Sequence, residues 1–259
     1  MTAAAEEPAR LPQWLGPLAS AAAAVGTETD WLGWRPRARS LPGEPRRSAV
    51  LILFAEGGSE GTAGRPDVLI TERAATLRSH AGQPAFPGGR IDPGDRGPVG
   101  AALRETEEEA GVDPGSVEVF GELPELYLQP SDFMVASVLA WWREPAPLRI
   151  GSPSEVAAVR RVPLDELAAP ENRLRVRHPS GYVGPAFAAG GMLVWGFTAG
   201  LMDAVLRLGG WEQAWDRNRV EDLPDEVLAL SIQSSAIRPA DQRPFMQEPI
   251  GLRKPRGSA

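Results

Sequence analysis

The sequence contains no cysteine and has no excess of basic residues. The lack of cysteine excludes disulfides, thiolate zinc sites and a cysteine nucleophile, so any hydrolytic chemistry must use carboxylates, histidine or a bound metal. Acidic residues outnumber Lys and Arg by 34 to 27, and a surface of this sign repels a polyanion. We therefore expect no nucleic acid as a main partner.

A long apolar run is also missing. The longest, residues 190–202, is shorter than the roughly 20 residues that cross a bilayer, and Asp203 and Arg207 follow it. Glu6 and Glu7 occupy the region in which a signal peptide would carry positive charge. We expect no membrane partner and a cytoplasmic location, with which the absence of cysteine is compatible.

The composition allows one sizeable core, because 42% of the 259 residues are apolar. We expect a catalytic domain of mixed α and β structure at residues 48–208. Residues 1–47 are predicted to be a partly irregular N-terminal extension. Residues 209–259 are predicted to be a partly disordered C-terminal extension, in which Trp211 and Trp215 are candidate tethers.

Apolar and β-branched runs predict the secondary structure of the domain. Residues 48–55 and 67–71 are typical of a hairpin-like strand pair. A loop is expected at 79–95, and three further strands are predicted at 116–123, 132–142 and 156–162. Helices are predicted at residues 15–24, 98–110, 163–167 and 192–208, with Gly111 as the left-handed residue that ends the second helix.

The helix predicted at 98–110 carries the most informative pattern. Glu105, Glu108 and Glu109 are spaced i, i+3 and i+4, so their carboxylates lie on one face close to the helix C-terminus. Mutual repulsion and the helix dipole both disfavour negative charge there. A divalent cation would reverse both penalties, because Mg²⁺ and Mn²⁺ prefer clustered oxygen ligands. The alternative interpretation is a solvated acidic helix end.

A glycine turn precedes this helix and favours the metal interpretation. In the sequence Phe86-Pro87-Gly88-Gly89, the missing side chains allow backbone carbonyls to approach a ligand, and Gly89 could offer its carbonyl to the metal. A glycine pair alone would indicate only a tight turn. The turn, the short loop and the acidic helix together indicate a functional site.

These residues resemble the Nudix box, a pattern of Gly, five residues, Glu, seven residues, Arg-Glu, an aliphatic residue, any residue, Glu-Glu, any residue, Gly and an aliphatic residue. The matching positions are Gly89, Arg104, Glu105, Glu108, Glu109, Gly111 and Val112. Two positions depart from the pattern. Asp95 replaces the first Glu and is followed by eight residues instead of seven, and Thr106 replaces the aliphatic residue. The resemblance implies an α/β/α sandwich with a mixed β-sheet.

A second resemblance concerns the substrate. A resemblance to the signature of the coenzyme A pyrophosphatase branch of this family covers residues 68–73 (VLITER), Leu77, His80, Gly82-Gln83 and 86–89. That branch also tolerates the Asp and the extra residue, and residues 194–199 (VWGFTA) resemble its C-terminal helix. The branch implies hydrolysis of coenzyme A, a small-molecule substrate, to 3′,5′-ADP and 4′-phosphopantetheine. The alternatives are ADP-ribose, NADH or another nucleoside diphosphate derivative, or a Nudix module that binds a ligand without turnover.

The resemblance implies specific roles around a Mg²⁺ or Mn²⁺ cofactor. We expect the metal ligands to be Glu105, Glu108, Glu109 and the Gly89 carbonyl. Arg104 is expected to orient a carboxylate, or else to form an ion pair on the helix surface. Glu155 precedes a predicted strand in a region from which Nudix enzymes often supply a further ligand or base, although it could also be an exposed loop acid. The predicted catalytic residues are therefore Arg104, Glu105, Glu108 and Glu155.

A positively charged wall is expected to bind the phosphates of the substrate. Its candidates are Arg73, Arg78, His80, Gln83 and Arg90. Coenzyme A carries an additional 3′-phosphate and so needs more positive charge than a simple diphosphate. His80 and Gln83 have an alternative role as braces of the loop, because a lone histidine is more often structural. The sequence does not determine the oligomeric state, and a homodimer is one of the options.

Overall fold

The computed structural model describes residues 11–26, 31–32, 45–57, 64–77, 80–128 and 132–235. The predicted hairpin is formed by strands β1 (Arg46–Glu56) and β2 (Pro66–Arg73), which pair antiparallel with Phe54 opposite Val68. Both strands are mostly buried, which explains their nearly continuous apolar sequences. The pair therefore forms the centre of a larger sheet.

Five more strands complete this seven-stranded sheet. They are β3 (Pro84–Ala85), β4 (Gly88–Arg90), β5 (Val117–Leu128), β6 (Phe133–Trp142) and β7 (Val156–Pro163). β6 runs parallel to β1, whereas the other pairings are antiparallel. The sheet is mixed, as the resemblance to the Nudix family implies.

Helices cover both faces of the sheet. Leu51 and Leu53 of β1 pack in the core beneath α2 (Gly97–Ala110). Ile52 and Phe54 point to the opposite face and pack in the core that includes α1 (Gly16–Ala24) and α4 (Gly196–Leu208). Successive side chains of a strand point to opposite faces, so β1 separates the two helical layers. The fold is the expected α/β/α arrangement.

A second, four-stranded sheet was not predicted. Its strands are β8 (Arg173–Arg177), β9 (Val183–Ala189), β10 (Met192–Val194) and β11 (Val220–Asp222). The remaining helices are α3 (Leu164–Ala168) and α5 (Asp225–Ser235). β8, β9 and β10 follow one another along the chain, whereas the three-residue strand β11 comes from a distant segment and pairs with β8, which leaves little pattern in the sequence.

Two predictions of secondary structure were wrong in detail. The helix expected at 192–208 begins only at Gly196, because Met192–Val194 pairs with β9 as strand β10 and Trp195 keeps an extended backbone. Trp195 accordingly packs beside the second sheet, whereas Phe197 packs against the main core. The expected loop at 79–95 contains the short strands β3 and β4.

Residues on both sides of the predicted domain pack against its core. Leu15 and Leu18 are fully buried there, and the Trp211 ring lies 5.8 Å from the rings of both Trp14 and Phe54. Residues 209–235 also contribute β11 and α5. The division at residues 48 and 208 stays a prediction, and the parts of the two extensions at 1–10, 27–30, 33–44 and 236–259 lie outside the described residues.

Among the helices in the described ranges, none has the length and apolar composition that crossing a membrane requires.

Replacement of Trp211 by alanine should lower the free energy of unfolding by about 2 kcal/mol, as measured by urea denaturation. The expected loss is below the roughly 3 to 5 kcal/mol of a fully buried aromatic residue, because Trp211 is only partly buried. Ile150 is 42% exposed, and Ile150→Ala should change stability by less than about 0.5 kcal/mol. A Trp211→Ala variant as stable as this control would show that residue 211 is not part of the core.

Candidate active site

Helix α2 carries Glu105, Glu108 and Glu109 on one side, the acidic face of the helix. The two ends of the helix follow the expected pattern. Pro98 lies in the first turn, and Gly111 ends the helix with φ 70° while its N–H donates to the Glu107 carbonyl at 2.9 Å. Thr106, which departs from the family pattern, is 1% exposed and donates its hydroxyl to the Ala102 carbonyl at 2.7 Å. The hydroxyl is thereby satisfied inside the core, so the helix tolerates the change.

The three predicted carboxylates differ in their exposure. Glu109 is 4% exposed, and its Oε2 accepts a hydrogen bond from the Gly88 N–H at 3.3 Å. Glu105 is partly buried, and the side chain of Glu108 is 52% exposed. The acidic face therefore extends from the protein interior at Glu109 to solvent at Glu108.

The glycine turn is confined between α2 and β1. A Cβ atom on Gly89 would lie 2.3 Å from Glu105 Oε1, and one on Gly88 would lie 2.3 Å from the Ala49 carbonyl oxygen. Real Cβ atoms do not come this close to other atoms, so a side chain at Gly88 would collide with the backbone of β1, and one at Gly89 would displace the Glu105 carboxylate. The absence of side chains lets the backbone of the turn lie directly against the acidic face, and the role of the Gly89 carbonyl as a metal ligand stays a prediction.

Arg104 connects several of the site's acceptors. Its Nε and Nη2 donate to the two carboxylate oxygens of Asp95 at 2.9 and 3.1 Å. Its Nη1 donates to Glu105 at 3.0 Å and to Glu108 at 3.1 Å, and Nη2 also reaches the Arg90 carbonyl at 3.1 Å. Sequence reasoning left the role of Asp95 open. The structure places it as the bidentate partner of Arg104, where the guanidinium also lowers the pKa of Asp95.

Burial and the repulsion of neighbouring negative charges raise the pKa values of Glu105 and Glu109. The pKa of Glu109 is raised to about 7, first by burial and then by the charges of Glu105 and Glu155, while the Arg73 charge and the Gly88 amide lower it. Burial also raises the pKa of Glu105, and the negative charges of Glu108 and Glu155 act in the same direction. Glu155 is thus near enough to interact with both groups, although it is far from them in sequence.

The segment that carries Glu155 covers the C-terminal end of α2. The N–H groups of Arg149 and Gly151 donate to the Ala110 and Glu109 carbonyls at 3.2 and 3.1 Å, and Ser152 Oγ lies 3.4 Å from the Glu108 carbonyl. These donors use carbonyls that have no partner inside the helix. In the sequence, the only signal for this contact is weak, the small-residue run at 151–154 before the strand.

The structure places only some of the five residues predicted to bind the substrate phosphates near one another. Arg73 lies near Glu109, and its Nε is buried without a hydrogen-bond partner among the described residues. His80 Nδ1 lies 3.1 Å from Gln83 Oε1, a contact that fits their alternative role as loop braces. The side chain of Arg90 is exposed, and Arg78 lies outside the described residues. Substrate contacts by these five residues stay predictions.

No three acidic or histidine side chains form a complete metal site in the described part of the chain. Glu105 and Glu108 both accept from Arg104. The residues nevertheless fit Mg²⁺ or Mn²⁺ chemically. Glu109 is a buried carboxyl with neighbouring negative charges, its donor atoms are hard oxygens, and the Gly89 backbone is held against Glu105.

Comparison with known proteins identifies a NUDIX domain at residues 44–182, more than half of the chain. The chain is 36% identical over 184 residues to "Uncharacterized Nudix hydrolase NudL" of Citrobacter koseri, covering 68% of this chain and 89% of that protein. It is 42% identical over 106 residues to "Nudix hydrolase 3" of Caenorhabditis elegans, covering 40% of this chain and 44% of that protein. A crystal structure of the Nudix hydrolase RenU from M. smegmatis matches with 27% identity and a TM-score of 0.39, over 48% of this chain and 74% of that chain.

The pKa of Glu109 leads to a prediction for the metal-free protein. Between its usual value of 4.5 and about 7, the folded state binds more protons than the unfolded state, so this group lowers the free energy of unfolding as pH rises. Glu109→Gln keeps an acceptor for Gly88 but cannot ionise. In EDTA, urea denaturation at about pH 5 and about pH 8 should give a smaller loss of stability for this variant than for the wild type.

The matched control is Glu107→Gln, because Glu107 is an exposed residue of the same helix. It should lose as much stability between the two pH values as the wild type does. An unchanged pH dependence in Glu109→Gln would contradict the assignment of a buried carboxyl with a raised pKa.

Proposed function

The chain belongs to the Nudix family, and from this premise we propose that it hydrolyses the diphosphate bond of coenzyme A or its acyl derivatives. The products are 3′,5′-ADP and (acyl-)4′-phosphopantetheine. The proposal rests on a contact between the acidic end of α2 and the glycine turn that ends the coenzyme A-type signature. In this contact the Gly88 N–H donates a hydrogen bond to Glu109.

The first part of that signature, residues 68–73, also lies close to the acidic face. Arg73 ends β2, and its positive charge is close enough to Glu109 to lower the pKa of that carboxyl. Its buried Nε has no hydrogen-bond partner among the described residues and is available for an anionic ligand. Coenzyme A has a 3′-phosphate in addition to its diphosphate, so a free guanidinium donor beside the acidic face suits it.

Glu105, Glu108, Glu109 and the Gly89 carbonyl would hold Mg²⁺ or Mn²⁺. When bound, the metal neutralises the diphosphate, polarises its phosphoryl oxygens and lowers the pKa of the attacking water. Arg104 orients Glu105 and Glu108 through its Nη1 and is itself fixed by both oxygens of Asp95. These hydrogen bonds restrain the Glu105 and Glu108 carboxylates before a ligand binds.

Glu155 completes the catalytic set in this proposal. Its segment is anchored on α2 by Gly151, and its carbonyl accepts from the Ala74 N–H at 2.8 Å, immediately after Arg73. The side chain is exposed, and its charge acts on Glu105 and Glu109. It can therefore accept the proton that the attacking water loses, or serve as a further carboxylate ligand.

A product-resolved substrate panel tests the proposal. The protein is incubated with Mg²⁺ or Mn²⁺ and with coenzyme A, acetyl-coenzyme A, ADP-ribose or NADH. We expect kcat/KM to be at least about tenfold higher for coenzyme A or its acyl form, because the additional phosphate gains charge-assisted contacts worth about 1.4 kcal/mol or more. A clear preference for ADP-ribose or NADH would contradict the coenzyme A proposal.

Two variants of α2 serve as controls in the same panel. Glu108→Gln should reduce kcat/KM at least about 100-fold, equivalent to about 3 kcal/mol of lost transition-state stabilisation, without changing the fold. Glu107→Gln should be as active as the wild type, because Glu107 points away from the acidic face. A wild-type protein that binds coenzyme A but cleaves none of the four compounds would indicate a ligand-binding module.

A further inference from the structure

Helix α5 lies against the loop that links β2 to β3. Gly82 of this loop has φ 66°, and a Cβ atom on it would lie 2.5 Å from Leu230 Cδ1. The Leu230 side chain therefore occupies the space above the Gly82 Cα atom. The contact joins residues that are distant in sequence, and α5 lies beyond the matched family domain at 44–182.

The second sheet fixes α5 from its other side. Val227 and Leu228 pack against a small buried core of four residues, Leu174, Val176, Ala186 and Leu223. Strand β11, immediately before α5, pairs in parallel with β8. The helix is thus attached to a folded unit, and Leu230 is held at a defined position above the loop.

Hydrogen bonds in the loop connect Gly82 to Arg73 and Arg73 to Gln83, and Arg73 and Gln83 are two of the candidate substrate-binding residues. The Gly82 N–H donates to the Arg73 carbonyl at 3.0 Å, and the Arg73 N–H donates to the Gln83 carbonyl at 3.1 Å. On the far side of the loop, Thr198 Oγ1 of α4 donates to the Pro84 carbonyl at 3.0 Å. A displacement of Gly82 would therefore move Arg73 and Gln83 together.

We propose that Leu230 is a positioning residue that holds loop 80–83 so that Arg73 and Gln83 meet the part of the substrate beyond the reacting diphosphate bond. The role of the loop in substrate binding rests on the proposed function. The Leu230 side chain contacts Gly82 of the loop, so its loss should weaken substrate binding and leave the chemical step nearly unchanged.

Steady-state kinetics with coenzyme A test this role. Leu230→Ala should raise KM about fivefold and change kcat by less than about twofold, because misplaced binding groups reduce ground-state and transition-state binding equally. Leu230→Met keeps the side-chain volume and should retain the wild-type KM. Glu226→Ala removes an exposed side chain of the same helix and should change neither constant. A wild-type KM in Leu230→Ala would overturn the proposal.

A double-mutant cycle with Gly82 separates positioning from general loss of packing. Gly82→Ala introduces a methyl group that collides with Leu230, and it also strains a backbone with positive φ. In this background Leu230→Ala removes the collision and should lower KM, the opposite of its effect in the wild type. If Leu230→Ala raises KM by the same factor in both backgrounds, the contact with Gly82 is not the cause and the proposal fails.

Amide hydrogen exchange tests the same contact without any substrate. In Leu230→Ala the Gly82 and Arg73 amides, both hydrogen-bonded within the loop, should exchange at least about tenfold faster than in the wild type. Unchanged exchange overturns the positioning role, whatever the substrate. Failure of the wild type to cleave coenzyme A would overturn the proposed function instead, and faster exchange would still support the role of Leu230 in holding the loop.

Discussion

The candidate site depends on negative charge that is crowded into the last turns of α2 and partly buried there. Glu109 is nearly inaccessible to water, and Glu105 and Glu155 add to the repulsion that raises its pKa. The helix dipole disfavours anions at this end. The arrangement weakens the metal-free protein at neutral pH, and a divalent cation would turn the same charges into a source of stability and binding.

The surrounding structure keeps these carboxylates in place. Arg104 joins Glu105 and Glu108 on the solvent side and is itself held by Asp95, whereas the glycine turn approaches from the β1 side. The segment at 149–155 supplies donors to the final carbonyls of α2 and brings Glu155 next to the acidic face. Three separate parts of the chain thus converge on one helix end, and each is connected to it by hydrogen bonds or by close packing.

The parts of this account that could be predicted from the sequence are those with local patterns. The i, i+3, i+4 acids and Gly111 identify α2 through helical spacing and a helix stop, and the apolar runs identify the main strands because these strands are mostly buried. The second sheet could not be predicted, since pairs such as β8 with β11 depend on contacts between distant segments. Met192–Val194 was assigned to a helix because a short apolar run does not distinguish a buried strand from a helix. Contacts such as Arg104 with Asp95, or Leu230 with Gly82, likewise require the folded chain.

Titration calorimetry with Mn²⁺ at about pH 8 tests the central claim most directly, because metal uptake does not depend on which substrate is cleaved. A metal site on the acidic face of α2 should give saturable Mn²⁺ uptake by the wild type and by Glu107→Gln. Affinity should be at least about tenfold weaker in Glu109→Gln, because the variant lacks one charged oxygen of the proposed ligand set. Absence of saturable Mn²⁺ uptake by the wild type, with and without coenzyme A, would contradict the account.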